Sequence, residues 1–258
     1  MRSKEGGRRM KKNNKGLRIT AFIIALALIA IILFFANAFV GNPISAMMAK
    51  IKAEQYVEQN FSFLDLELEK PVYNFKFGEY IVKARSKTSR DTHFNIYYRG
   101  GKIVNDDYNT NVLQKYNTLQ RLEEEYTFLV RNVIEELGYK DLGTRVFYSK
   151  QTEEAQEYLK LDMDFDKNLP IETEIYIQVQ LKELTVEEIA RILKDVYTAF
   201  EQKGYHFEKY SINYFDEECS LSVSNVTPDI ITGGELEEIL TEAKEKGHHG
   251  EVSFYIRQ

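Results

Sequence analysis

The sequence predicts an α+β protein behind one N-terminal transmembrane helix. Three observations predict it: an uncharged apolar run over residues 19–40, later runs that alternate apolar and polar residues, and apolar faces recurring every three to four residues between them. Of 258 residues, 43% are apolar and 29% charged, with only 4 Pro and 14 Gly. That composition excludes a disordered or repeat-built chain.

Ile19 to Val40 reads ITAFIIALALIAIILFFANAFV, without a charge. About 20 apolar residues cross the roughly 30 Å hydrocarbon layer at 1.5 Å per residue. Eight bases precede the run (Arg2, Lys4, Arg8, Arg9, Lys11, Lys12, Lys15 and Arg18), and the ten residues after it carry only Lys50. The positive-inside rule therefore puts residues 1–18 in the cytoplasm as a basic tail and residues 41–258 outside, with the lipid bilayer contacted through residues 19–40. Cleavage after Ala36-Asn37-Ala38 is the rival reading, but the apolar core exceeds the about 7–15 residues of a signal peptide.

The first outer unit is expected over residues 41–110. Asn42 and Pro43 read as a cap and first helical residue, opening a helix to about Asn60 with Ile44, Met47, Met48, Ile51, Val57 and Phe61 on one face. Strands follow at Leu64–Leu68, Tyr73–Phe77, Tyr80–Ala84 and Phe94–Tyr98, and Gly100-Gly101 turns the chain into Ile103. A helix on an antiparallel sheet results.

Residues 111–258 form the second expected unit. Asn117 with Gln120 suggests a capping box for a helix carrying Leu122, Tyr126, Leu129, Val130, Val133, Ile134 and Leu137, ended by Gly138. A short strand follows at Arg145–Tyr148. Then come a strand at Glu172–Lys182, a helix capped by Thr185 with Glu188, a hairpin Phe207–Phe215 and Leu221–Ser224 across Asp216-Glu217-Glu218, a chain break at Thr227-Pro228, a helix Glu235–Lys246 and a strand Glu251–Ile256. That β-α-β-β-α-β order predicts the ferredoxin-like, split βαβ arrangement.

No catalytic residue, cofactor-binding residue or metal ligand is assigned, and no cofactor. Asp162, Asp164 and Asp166 with Asn168 have the alternation of a calcium loop. Lys167 stands where such a loop needs Gly, however, and Thr173 where it needs Glu, so an edge strand with an acidic solvent face fits better. His93, His206, His248 and His249 lack zinc spacing, and His248-His249 reads as a solvated turn. Cys219 is the single cysteine, so no intrachain disulfide forms. No Gly-x-Ser-x-Gly elbow or phosphate loop occurs, and Glu123-Glu124-Glu125 reads as a solvated helix face. Removing the eight bases and the one acid of residues 1–40 leaves 26 bases against 39 acids, a net charge of -13. Such a body repels phosphate backbones, so no nucleic-acid partner is expected.

An ordered series of segments carries a resemblance. Ala53–Asn60, Tyr73-Asn74-Phe75-Lys76-Phe77, Asp91-Thr92-His93-Phe94, Gly101–Tyr108 and Asn117–Leu122 together resemble the YfjL-like proteins, membrane-anchored proteins of low-GC Gram-positive bacteria. The resemblance implies an envelope location and a two-part outer portion, and it supplies no active site. The first unit also looks like a PepSY or cystatin-like module at the level of fold. The expected function is a binding or interaction module in the cell envelope, with a protein or envelope component as partner. An accessory or regulatory subunit of a membrane transporter or sensor is the alternative. A hydrolase using acidic residues such as Asp162, Asp164 and Glu172 ranks last, and no enzyme is expected.

Overall fold

The computed structural model describes residues 15–148, 153–180, 185–215 and 219–257. The basic residues before Lys15, the Asp216-Glu217-Glu218 turn and the end of the strand expected over Glu172–Lys182 lie outside them. Helix α1 (Lys15–Val40) holds the uncharged run, whose Ile, Leu, Phe and Val side chains are exposed. It is long and apolar enough to cross a membrane, a test that a signal sequence near an N-terminus also passes.

The chain divides into two compact units: residues 1–85 with 95–106, and residues 86–94 with 107–258. In the first, α2 (Pro43–Asn60) starts as expected, with the Asn42 side chain accepting from the Ser45 N–H at 2.7 Å and Pro43 in the first turn. The sheet comprises β1 (Leu66–Leu68), β2 (Val72–Asn74), β3 (Glu79–Ser86), β4 (His93–Arg99) and β5 (Lys102–Asp106), ordered β1-β3-β4-β5 with β2 also on β3. Tyr80, Val82, Ala84, Ile96 and Tyr98 are buried, as their alternation requires.

Two expectations about this unit are corrected. Helix α2 buries Ala49 and Ala53, while Ile44, Met47, Met48 and Ile51 are exposed, because small side chains let the helix lie close on the sheet. The strand expected over Tyr73–Phe77 stops at Asn74. Its carbonyl accepts from the Phe77 and Gly78 amides, closing a turn in which Phe75 and Phe77 point into solvent. Tyr56 ties α2 to β5 by donating its hydroxyl to Asp106 at 2.6 Å; burial first, and then that bond, push its pKa up to about 12.

The second unit holds α3 (Tyr116–Glu136), β6 (Arg145–Tyr148), α4 (Glu153–Tyr158), β7 (Thr173–Ile177), α5 (Val186–Lys203), β8 (Lys209–Phe215), β9 (Ser220–Val226), α6 (Pro228–Thr232), α7 (Leu236–Lys246), β10 (His248–His249) and β11 (Val252–Arg257). A π-helical turn at Asn109–Leu113 precedes α3. Leu122, Tyr126, Val130 and Ile134 of α3 pack into one core with Ile189, Leu193, Val196 and Phe200 of α5 and Leu236 and Leu240 of α7. Thr185 caps α5 by accepting from the Glu188 N–H at 3.2 Å, and Gly204 ends it in the left-handed conformation. The break expected at Thr227-Pro228 is instead the start of α6, with Pro228 in its first turn.

The α+β class and the βαββαβ element order hold, but the ferredoxin-like pairing is overturned. A split arrangement needs a strand between β7 and β8, yet these pair directly in parallel, with Glu174 opposite Lys209 and Ile177 opposite Ile212. The sheet order is β10-β11-β9-β8-β7-β6. Strand β6 pairs antiparallel with the outer edge of β7 and fills the place the last strand of a split fold would take. Strand β11 therefore pairs with β9.

Candidate functional site

Each strand of the six-stranded sheet turns alternate residues toward the helices. Val146, Ile175, Ile177, Tyr210, Ile212, Leu221, Val223 and Phe254 have that parity and are buried. The opposite face is open, and its aromatics remain in solvent: Tyr176 is 37% exposed, Tyr255 56% and Phe215 61%. Register arranges the face in cross-strand rows. Arg145, Tyr176 and Ser211, the last of them buried, form one, Asn213, Ser222 and Tyr255 a second, and Phe215, Ser220 and Arg257 a third.

Phe147 meets Tyr176 edge to face at 5.2 Å. A shallow depression of about 530 Å³ covers this corner, lined by Arg145, Phe147, Glu174, Tyr176, Gln178 and Asn213 among others. Glu174 is engaged by the Lys209 ammonium at 3.4 Å, and its charge raises the Lys209 pKa. Arg145 pairs with no carboxylate among the described residues. The face therefore offers flat aromatic surfaces, neutral hydroxyl and amide groups and two guanidiniums, Arg145 and Arg257, that pair with no carboxylate among the described residues. These groups can stack on and hydrogen-bond a bound molecule. The sequence held a signal for them: Tyr176, Phe215 and Tyr255 occupy the polar parity of their strands, where solvated side chains are the ordinary choice.

The acids weighed for calcium lie elsewhere, each with its own partner, and the edge strand expected there is absent: Leu161–Asn168 is turn and loop. Asp162, at φ +62°, accepts from the Asp91 N–H at 2.9 Å and from the Ser89 hydroxyl at 3.0 Å. Asp164 pairs with Arg90 at 3.2 Å, and Asp166 accepts from the Asn168 N–H at 2.9 Å. Arg90 bonds both the Asp162 carbonyl at 3.0 Å and the Asp164 carboxylate, whereas Glu172 engages Lys209 at 3.5 Å, so the three acids do not converge on one partner. Among the described residues, no group of three or more His, Cys, Asp or Glu side chains could hold a metal ion. His206 pairs with Glu201 at 2.9 Å and His249 with Glu242 at 3.1 Å; His248 and His249 form β10, a short hairpin strand, where a turn was expected.

Two further expectations are corrected. Glu123 is buried rather than solvated, accepting from the Tyr148 N–H at 3.0 Å at the end of β6. Asn117 does not cap α3. Its amide donates to the carbonyls of Asp91 at 2.9 Å and His93 at 2.7 Å, and Lys115 takes the cap position. Four residues on, Arg121 grips Asp91 through two nitrogens, at 2.7 and 3.0 Å. The segments 91–94 and 117–122, both part of the resemblance noted above, thus meet.

A YfjL-like N-terminal domain model matches residues 16–108, and a YfjL-like C-terminal domain model matches residues 125–241. The chain belongs to the YfjL-like family. The two YfjL-like matches take in α1, the first sheet and most of the second, but not β11, which supplies Tyr255 and Arg257 to the open face. No solved structure matches the chain.

Proposed function

We propose that this protein is a membrane-anchored binding module of the cell envelope, with α1 spanning the bilayer, the N-terminus inside and both folded units outside. The observation that carries the binding role is the open aromatic and hydroxyl face of the six-stranded sheet. Exposed aromatics on three strands of one sheet face add nothing to the fold's own core, and covering them with a ligand removes apolar surface from water. The net charge of -13 over residues 41–258 favours a neutral or basic partner, either a protein or an envelope component. Depression and rows together supply stacking and hydrogen bonding, and the carboxylate that lines the depression, Glu174, is already engaged by Lys209, which supports binding over turnover.

One observation favours the second reading, an accessory subunit docked sideways on a transporter or sensor. Ile44, Met47, Met48 and Ile51 form an exposed stripe on α2, beginning four residues past α1, at helical spacing. A single experiment separates the two. The full chain carries a photo-reactive phenylalanine analogue at Tyr176 or, separately, at Met47, and is irradiated in its native membranes. A discrete adduct from Tyr176 is expected. An adduct from Met47 alone selects the accessory-subunit reading, and the absence of adducts from both removes the interaction role.

A further inference from the structure

Between α1 and α2 the chain makes a locked joint. Gly41 sits at φ +74°, and a Cβ there would come within 2.8 Å of the Tyr73 ring and still closer to the Tyr80 hydroxyl. That hydroxyl accepts from the Asn42 N–H at 2.6 Å and donates to the Asn42 carbonyl at 2.9 Å, while the Tyr73 and Tyr80 rings pack at 4.9 Å. The end of α1 is thereby fixed against β2 and β3. At the same end of the sheet lie two turns, Phe75–Gly78 between β2 and β3 and Gly100-Gly101 between β4 and β5. Gly78, Gly100 and Gly101 border the small cleft that Asn37, Gly41 and Asn42 also line.

What these turns display is unusual for an acidic protein. Phe75 is 54% and Phe77 64% exposed, and Lys76 between them is exposed too, as are Arg99 and Lys102, which flank the Gly100-Gly101 turn. Residues 70–78 and 98–103 contain no acid, and none of these three cations pairs with a carboxylate among the described residues. The Phe75 ring touches the Phe39 ring at 5.9 Å, in the last turn of α1. Counting about 20 residues of hydrocarbon crossing from Ile19 brings the chain to Ala38, so Phe39 and its neighbour Phe75 fall at the outer boundary of the bilayer. Aromatic rings favour that boundary, and bases beside it attract anionic headgroups.

We propose that these two turns are a lipid-binding edge. Phe75 and Phe77 enter the headgroup–acyl boundary of the outer leaflet, and Lys76, Arg99 and Lys102 bind anionic phospholipid headgroups. The inference rests on the reading of α1 as a membrane span. It gives the first unit a set orientation on the membrane, since the joint at Gly41 leaves little freedom to swing. The continuity of the apolar surface from α1 through Phe39 to Phe75 selects lipid as the occupant, and the local basic charge selects anionic lipid over zwitterionic.

The sequence contains no Trp, so one introduced Trp reports alone. Phe77→Trp and, as a control inside α1, Phe34→Trp are made in the full chain and reconstituted in nanodiscs. One set is phosphatidylcholine and the other an equal mixture with phosphatidylglycerol, each with and without lipid bearing a nitroxide high on the acyl chain. Both probes are expected to be quenched by the nitroxide. Phe77→Trp is expected to be quenched more in the phosphatidylglycerol discs, with that increment lost on adding Lys76→Glu. A quenched Phe34→Trp beside a Phe77→Trp with the emission of a water-exposed indole overturns the lipid edge and leaves the span standing. A blue-shifted but unquenched Phe77→Trp overturns it in favour of a protein occupant, a second copy included. An unquenched Phe34→Trp overturns the span itself, and the proposal with it.

Discussion

Asp91 is 1% exposed, and its two carboxyl oxygens accept from Arg121 Nε and Nη2 at 2.7 and 3.0 Å in the bidentate geometry that suits a guanidinium. One of those oxygens also accepts from the Asp162 N–H at 2.8 Å, while Arg121 reaches Glu125 and the Met163 carbonyl, each at 2.7 Å. Burial pushes the Asp91 carboxyl up, but the Arg121 hydrogen bonds, the Asp162 amide and the Arg121 charge outweigh it and hold its pKa below the ordinary carboxylate value. A pKa lower in the folded than in the unfolded chain stabilises above the unfolded value, about 4, and that stability is lost as pH falls through the folded value. Asp91→Asn takes the buried charge from the guanidinium, leaving it only the more exposed Glu125, and is expected to cost roughly 3 kcal/mol at neutral pH, with the gap to wild type narrowing below about pH 4. Urea midpoints of the two proteins across pH check this, and a gap independent of pH would show that charge is not what holds the pair. Both residues stood in the sequence, but 30 positions apart, and helical periodicity assigns Arg121 only to a polar face. Nothing local says that a polar face looks inward onto a carboxylate.

Whole elements were legible where a local rule acts alone. The Thr185 cap and Gly204 stop of α5, the Asn42 cap of α2 and the Tyr80–Ala84 alternation all follow from neighbours in sequence. Which strand pairs with which was not, because the strand that takes the outer edge of β7 starts 28 positions before Thr173 and carries only four residues. Likewise α2 rests on Ala49 and Ala53, which a search for large apolar residues passes over in favour of the exposed Ile and Met stripe. The open sheet face escaped for the complementary reason: the reading followed the buried parity of each strand and left the other to solvent. The joint between α1 and α2 gives an element-scale prediction. Gly41→Ala places a Cβ at positive φ, worth about 1–2 kcal/mol by itself, and drives it into the Tyr73 ring and the Tyr80 hydroxyl. The variant is expected to melt earlier and to be cut faster between Gly41 and Ser45 in limited proteolysis. Unchanged cutting would mean that the joint is not a lock.

At the scale of the whole chain, charge and hydropathy divide the molecule into parts that suit different surroundings. Residues 1–40 carry eight bases and one acid, all before the uncharged run, and residues 41–258 carry 26 bases and 39 acids. An anchored protein with its tail inside accounts for this division through the attraction of Lys and Arg to the inner leaflet. A cleaved leader accounts for it equally by charge, so helix length and continuity must separate them. Ala36, Asn37 and Ala38 lie inside α1, and the Gly41 N–H still donates to the Asn37 carbonyl at 3.0 Å; cleavage after Ala38 first requires that end of the helix to unwind. Tags at Met1 and Gln258, with protease added to intact protoplasts, are expected to give a full-length, membrane-bound chain whose C-terminal tag is digested and whose N-terminal tag survives. A C-terminal tag protected in intact cells would invert the orientation and place the sheet face and the Phe75–Phe77 turn in the cytoplasm. A product in the medium beginning at Phe39 would free both units from the bilayer. The cluster of Phe39, Phe75 and Phe77 would then be an exposed apolar patch on a secreted protein, an arrangement that favours self-association.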